Sequence, residues 1–139
     1  MVDDMKADWD AVRARVEEQI ASDKKLVQEL LDKGDFLDDD GYPTDDALTI
    51  IEKWGWEDKK GWFDFIHDIW HLASWGWKEC DVIDDVTGEK NYCYYISTAG
   101  WSGNESIIHT MQKNNLMWGV TWVQSRRGGH FIFQRDIKE

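Results

Sequence analysis

Tryptophan is unusually abundant in this chain, and this abundance narrows the range of folds that the chain can adopt. Ten of the 139 residues are tryptophan, and eight of these lie between Trp54 and Trp118. Each such side chain buries roughly 150–250 Å² and usually needs an acceptor for its indole N–H. The high proportion of tryptophan therefore predicts a compact core, an adhesive surface, or both. A chain of this length can form a core without metals or disulfides, and we expect residues 1–139 to form a single domain.

The charge of the chain is distributed unevenly. The formal net charge is −12 at pH 7. Residues 1–89 contain 25 acidic and 10 basic residues, a net charge of −15, whereas residues 90–139 contain 3 acidic and 6 basic residues, a net charge of +3. An acidic surface repels nucleic acids and anionic membranes and attracts basic protein surfaces. The charge therefore disfavours direct nucleic-acid binding and favours a basic protein partner.

The sequence predicts neither a secretory signal nor a membrane-spanning segment. Val2-Asp3-Asp4-Met5 follow Met1, whereas a secretory signal begins with basic residues and continues with an apolar segment. The longest segment without a charged residue, from Asn91 to Asn104, is shorter than the roughly 20 apolar residues of a membrane span. We therefore expect a cytoplasmic protein with no membrane partner. In that compartment Cys80 and Cys93 are expected to remain reduced and structural, because they lack Cys-x-x-Cys spacing.

Apolar residues at spacings of three and four predict three helices in the N-terminal half. The first runs from Asp8 to Leu31, with a candidate interruption at Ser22-Asp23 and a glycine stop at Gly34. Thr44 is a natural N-cap for the second helix, which continues to about residue 54. The third helix runs from about Lys59 to Leu72. Residues 1–74 are therefore expected to be mainly helical.

The pattern changes after Trp75, where β-branched and aromatic residues alternate with turn residues. The predicted elements are strands over residues 77–83 and 92–97, a helix opened by a capping box at Ser102–Glu105, and strands over Leu116–Ser125 and His130–Gln134. A turn centred between Val86 and Thr87 places Cys80 opposite Cys93. The fold class is α+β, in which N-terminal helices precede a ββαββ half, residues 75–139, that forms an antiparallel sheet.

One candidate binding site lies where the net charge changes sign. Small residues connect a strand to a helix start there, and backbone N–H groups in such loops often bind anions. An arginine side chain can donate two parallel hydrogen bonds to an anion, and a histidine side chain can gain or lose a proton. The candidate residues are Trp101, Ser102, Asn104, Glu105, Arg126, Arg127 and His130. The alternative interpretation is structural: a capping box, a glycine turn and solvated arginines explain the same residues.

A second candidate is a metal site on the third predicted helix. His67 and His71 are four residues apart, so one helical face can present both to a zinc ion, and Asp64 shares that face. An ordinary solvated helix face has the same appearance. A structural zinc site also needs further ligands, and the sequence does not place them nearby. Metal binding is therefore the lesser alternative, and we expect no cofactor.

Two blocks of the C-terminal half resemble a known group of proteins. They are Tyr95-Ile-Ser-Thr-Ala-Gly-Trp-Ser-Gly-Asn-Glu105 and Trp122-Val-Gln-Ser-Arg-Arg-Gly-Gly-His130, and the similarity extends back through Trp75-Gly76-Trp77 and Gly61-Trp62-Phe63. These motifs resemble an uncharacterised family of small, acidic, Trp-rich bacteriophage proteins, and the first helix lies outside the similarity. The resemblance implies expression in the cytoplasm of a bacterial host, and it assigns no catalytic residue.

The sequence favours a non-enzymatic binding function. It contains no nucleophile elbow, P-loop, dinucleotide fingerprint or kinase motif. The leading hypothesis is a phage accessory protein that binds a host or phage protein through its acidic N-terminal half or its Trp-rich surface, with inhibition through the acidic surface as a special case. Binding of a nucleotide or another anion at the Trp101 and Arg126 residues, with or without catalysis, is the alternative. A metal-dependent protein that uses His67 and His71 is the second alternative.

Overall fold

The computed structural model describes residues 2–137, and residues 2–5 by their backbone alone. This part of the chain contains six helices and four strands, so the α+β class is confirmed. In chain order the elements are α1 (Val2–Lys33), α2 (Asp45–Lys53), α3 (Lys59–Ile69), α4 (Ala73–Gly76), β1 (Trp77–Ile83), β2 (Lys90–Ser97), α5 (Ser102–Lys113), α6 (Asn115–Thr121), β3 (Trp122–Arg126) and β4 (His130–Asp136).

The four strands form one antiparallel sheet in the order β1-β2-β4-β3. Cys80 lies directly opposite Cys93, as predicted from the turn between β1 and β2. The β3–β4 turn uses Gly128 and Gly129, and both have positive φ angles, of 94° and 78°. These angles explain the glycine pair, because other residues adopt them only with strain.

The core lies between the helices and one face of the sheet. Trp77, Tyr94, Ile96 and Phe133 are the sheet residues of the hydrophobic core on that face. They pack in one cluster with buried residues of the helices, which include Ile50, Ile51, Trp62, Phe63, Ile66, Ile107, Met111 and Met117. Buried indoles find acceptors there, since Trp62 donates to the Ile51 carbonyl at 3.0 Å. Trp62, Trp70 and Trp77 are buried, whereas four other tryptophans are exposed, so the tryptophans divide between core and surface. Neighbouring strand residues point to the opposite face.

The first helix is longer than predicted. α1 is continuous from Val2 to Lys33, so the interruption proposed at Ser22-Asp23 is wrong. Gly34 ends the helix as predicted, with a φ of 71° and its N–H bonded to the Leu30 carbonyl. Only the last turns pack on the body, through buried Val27 and its partly buried neighbours. Neither α1 nor any other described helix is long and apolar enough to span a membrane.

The third helix ends earlier than predicted, at Ile69 instead of Leu72. Tertiary hydrogen bonds account for the difference. The Trp70 indole donates to the Ser97 carbonyl at 3.2 Å, and the His71 backbone N–H donates to Oδ1 of Asn104 at 3.0 Å. These bonds hold the chain in an extended conformation after α3. Leu72 then adopts a left-handed conformation and precedes α4.

The predicted strand over Leu116–Ser125 is wrong in its first part, because residues 115–121 form helix α6. Met117 and Thr121, four residues apart, are both buried, and the Thr121 hydroxyl donates to the Met117 carbonyl at 2.7 Å. Trp118 packs edge-on against Phe133 of the sheet, with ring centroids 5.2 Å apart. The C-terminal half is therefore ββααββ instead of the predicted ββαββ.

Candidate functional site

Trp101 lies between two other rings at the surface. Its indole stacks on Tyr42, with ring centroids 4.7 Å apart and an interplanar angle of 28°. On its other side lies the imidazole of His71, at 4.2 Å and 30°. Tyr42 and His71 are exposed and Trp101 is half-buried. The three rings form a row that solvent can reach.

The loop before α5 holds the Trp101 backbone in position. The Trp101 N–H donates to the Thr98 carbonyl at 3.1 Å, which closes a tight turn. Ala99 and Gly100 inside this turn have φ angles of 56° and 71°. The Trp101 ring also lies directly over Gly103, where a Cβ atom would overlap it. The small residues of this loop are therefore explained by the placement of the indole.

The Tyr42 side of the row comes from the Asp-rich segment between α1 and α2. Oδ1 of Asp38 accepts the backbone N–H groups of Asp40 and Tyr42, each at 2.9 Å. Gly41 completes the turn with a φ of 84°. This turn leaves the side chains of Asp39 and Asp40 exposed, a few residues from the ring of Tyr42. Two carboxylates therefore lie in the same loop as the first ring of the row.

The His71 side is held by Asn104, which is fully buried. Its side chain accepts the His71 N–H at 3.0 Å and donates to the His71 carbonyl at 2.9 Å. It also donates to the Thr98 carbonyl at 3.3 Å. Sequence reasoning placed Asn104 among ligand-binding residues. In the structure its side-chain amide makes hydrogen bonds to backbone groups, and these bonds connect the chain after α3 to the loop before α5.

The predicted capping box does not form at the start of α5. Trp101 is the N-cap residue, and it makes no side-chain capping bond. The Ser102 hydroxyl instead donates to the hydroxyl of Tyr42 at 3.3 Å, so it supports the row of rings. Glu105 is exposed in the first turn of the helix, where a negative charge suits the helix dipole. Its carboxylate adds to the negative charge at this end of α5.

The two basic residues at the ends of β3 and β4 form a separate feature. Arg126 and His130 are paired across the strands, and Nδ1 of His130 lies 2.6 Å from the Ser97 hydroxyl. Together with Tyr95 they line a groove of about 280 Å³ on the face of the sheet away from the core. Arg127 lies beyond the strand end, in the turn. The groove can accept a small anion through the guanidinium and imidazole groups.

Trp101 does not line this groove. The Thr98 N–H bonds to the Gly129 carbonyl at 3.0 Å, so the loop before α5 touches the β3–β4 turn. The Trp101 ring, however, packs against Tyr42 and His71 on the helical side. The predicted combination of Trp101 with Arg126 and His130 in one pocket is therefore replaced by two surfaces.

The predicted metal ligands do not share a helical face. His67 lies on α3, but His71 follows the end of that helix and stacks on Trp101. His67 contacts the ring of Trp77 and lies 3.7 Å from Asp68, while Asp64 pairs with Lys60 at 2.7 Å. Within residues 2–137, no cluster of three or more His, Cys, Asp or Glu side chains is arranged to hold a metal ion.

Sequence reasoning missed Tyr42 and His71 as neighbours of Trp101. Both are distant from it along the chain, and no local pattern connects them. A row of aromatic faces beside carboxylates can hold a cation, because the negative face of each ring and the acidic groups attract positive charge together. No family model, curated protein or solved structure matches this chain.

Proposed function

We propose that this chain is a non-enzymatic binding protein that holds a Lys- or Arg-rich segment of a protein partner. The binding surface consists of Tyr42, His71 and Trp101 together with the exposed carboxylates of Asp39 and Asp40, and we call it the aromatic-acidic surface. The observation that carries the proposal is the solvent-accessible row of three rings, one of which, Tyr42, belongs to an acidic loop.

The chemistry of this surface suits a cationic side chain. Trp101 is stacked between its two neighbours, so the ring that is open to a cation is that of Tyr42 at the end of the row. An arginine or lysine over an exposed aromatic ring gains about 0.5–1 kcal/mol. Asp39 and Asp40 add charge attraction at the rim, which raises the association rate more than the affinity. The net charge of −15 over residues 1–89 steers basic partners toward this part of the molecule.

The resemblance to bacteriophage proteins supports a host or phage protein as the partner and the cytoplasm of a bacterial host as the location. An inhibitor is one form that such a protein can take, because occupying a basic surface blocks the other ligands of that surface. Mimicry of DNA by rows of acidic side chains receives less support. Arg13, Arg15, Lys24 and Lys25 interrupt the acidic residues of α1.

The proposal is tested with two labelled peptides of equal length, one rich in arginine and lysine and one rich in glutamate. Fluorescence anisotropy at low and at moderate salt measures their affinities. The wild type is expected to bind the basic peptide alone, and more weakly as salt rises. Trp101→Ala, checked for folding by circular dichroism, removes the ring on which Tyr42 stacks and is expected to weaken binding about two- to fivefold.

A charge-matched pair of variants separates the aromatic-acidic surface from net charge. Asp39→Asn combined with Asp40→Asn removes two charges from this surface, and Asp85→Asn combined with Glu89→Gln removes two exposed charges from the β1–β2 turn. Only the first pair is expected to weaken binding, by about three- to tenfold. Equal effects of the two pairs, or equal binding of both peptides, would contradict the proposal.

The groove at Arg126 and His130 supports a second candidate function, the binding of a small anion such as a nucleotide. The specific observation is that Arg126, His130 and Ser97 face one another around a single groove. A thermal-shift screen with inorganic phosphate and nucleotides tests it, since ligand at 100 times its dissociation constant stabilises the fold by about 2.7 kcal/mol. Arg126→Ala should abolish the shift and Arg127→Ala, outside the groove, should not. Identical shifts in the two variants would eliminate this candidate.

A further inference from the structure

The N-terminal two-thirds of α1 carries an apolar stripe that the chain itself does not cover. Trp9, Val12, Val16 and Ile20 recur at spacings of three and four, so they lie within an arc of about 100° on the helix. Their exposed fractions are 67%, 39%, 51% and 52%. Every residue from 6 to 22 is exposed. The helix therefore projects from the body with its apolar side in solvent.

The same stripe is covered where α1 meets the body. Continuing the spacing from Ile20 leads to Val27 and Leu31, which pack against the core cluster. The stripe is thus one feature with two environments, one packed and one open. Helices in water gain most of their stability from packing of an apolar face, and residues 6–22 receive no such packing from their own body. This segment is suited to packing against a second helix.

We propose that the open stripe pairs with the same stripe of a second copy of this chain, with the two α1 helices antiparallel. A two-fold axis midway along the stripe places Trp9 opposite Ile20 of the second copy and Val12 near its Val16. The stripe is thereby self-complementary, as a two-fold interface requires. The two bodies then lie at opposite ends of the helix pair. A parallel pair would place both bodies at one end.

The charges of α1 favour the antiparallel arrangement. Residues 2–10 carry a net charge of −3, whereas residues 20–26 carry +1. Antiparallel pairing sets these segments against each other, and parallel pairing would set each against its own copy. Near the axis, Arg13 comes close to Glu17 of the second copy, and the symmetry repeats this pair. Opposite charges therefore meet along the proposed interface.

The body provides a recess at the point where the second copy's indole would arrive. Ile20 lines a cavity of about 190 Å³ together with Trp54, Trp56 and Leu116. Because Trp9 of the second copy lies opposite Ile20, its ring reaches the mouth of this cavity. Trp56 and Leu116 are exposed, at 48% and 55%, and this contact would cover them. The interface remains small, which predicts a dimer with micromolar affinity.

Sedimentation velocity on the full chain, from about 1 μM to about 1 mM, tests the association. The wild type is expected to pass from monomer to dimer with rising concentration. Val12→Ala combined with Val16→Ala is expected to weaken association about tenfold, and alanine favours helix, so loss of the helix cannot explain the result. Trp75→Ala, which removes an exposed indole outside α1, is the matched control and should leave association unchanged.

Charge reversal tests the orientation. Arg13→Glu alone and Glu17→Arg alone each place like charges together in the antiparallel pair and are expected to weaken association severalfold. The two residues are also four apart in one helix, so circular dichroism must show that the helix content of each variant is unchanged. The two substitutions combined restore opposite charges and are expected to restore association. A wild type that stays monomeric over the whole range would overturn the proposal. So would a dimer that the charge reversals, or the paired alanines, leave unchanged.

Discussion

Replacement of Asn104 by alanine is expected to destabilise the fold without acting on a ligand directly. The Asn104 side chain is fully buried and makes three hydrogen bonds, one as acceptor and two as donor. Alanine removes all three, although the Thr98 carbonyl keeps the Trp101 N–H as a donor. Each lost bond costs about 0.5–1.5 kcal/mol.

These contributions give an expected loss of about 3 kcal/mol in the free energy of unfolding. For a chain of this size that loss lowers the melting temperature by about 10 °C. Urea unfolding followed by circular dichroism measures the change, and an unchanged dependence on urea shows that the transition remains two-state. Asn104→Asp provides a second variant. It keeps the acceptor for the His71 N–H, but it places a carboxylate against two carbonyl oxygens, so a similar loss is expected.

The matched control is Asn115→Ala, which removes the same side chain from an exposed position at the start of α6. It should change the free energy of unfolding by less than about 0.5 kcal/mol. If Asn104→Ala costs less than about 1 kcal/mol, the three bonds do not hold the chain after α3 in place. The early end of α3 would then need a different physical cause.

Three shorter predictions concern other parts of the fold. Diamide should oxidise Cys80 and Cys93 to a disulfide, which mass spectrometry detects as the loss of two hydrogen atoms. The reaction should be slow because burial raises the pKa of the Cys93 thiol. If both thiols remain free after treatment, the prediction is wrong. Burial raises the pKa of Tyr94 from 10.0 to about 12, so the stabilisation that the neutral hydroxyl provides is complete below pH 10 and is lost as the pH rises to about 12. In unfolding experiments the free energy of unfolding of Tyr94→Phe should therefore fall less between pH 10 and pH 12 than that of the wild type. Gly129→Ala should lower the free energy of unfolding by about 2 kcal/mol, because φ is 78° and a Cβ would overlap the Thr98 side chain. Gly88 also has a positive φ but has open space around it, so Gly88→Ala should cost only about 1 kcal/mol.

Elements whose signals are local in the sequence were predicted well. The Thr44 hydroxyl accepts the Ala47 N–H at 3.1 Å, as expected of an N-cap residue before two aspartates. β1 occupies residues 77–83 as predicted, and the turn composition fixes its register with β2. Capping and turn chemistry involve residues close along the chain, so the sequence alone contains the necessary information.

Elements whose conformation depends on distant packing were not predicted. Residues 116–125 contain valine, threonine and tryptophan, which are frequent in strands. The first part is nevertheless helical, with Met117 and Thr121 buried one turn apart and the Thr121 hydroxyl donating to the Met117 carbonyl. The end of α3 has the same explanation, since it depends on Asn104, more than thirty residues further along the chain.

The candidate site also depends on contacts between residues that are distant along the chain, and these contacts change the ligand that we expect. Along the chain, Trp101 belongs to the C-terminal part with a charge of +3, and its basic neighbours suggested an anion. In space its ring lies between Tyr42 and His71, which come from the acidic part of the chain. A cation therefore fits the surroundings of this indole better than an anion does. Because Arg126 lines a groove that does not include Trp101, its replacement should leave the binding of a basic peptide at Trp101 unchanged.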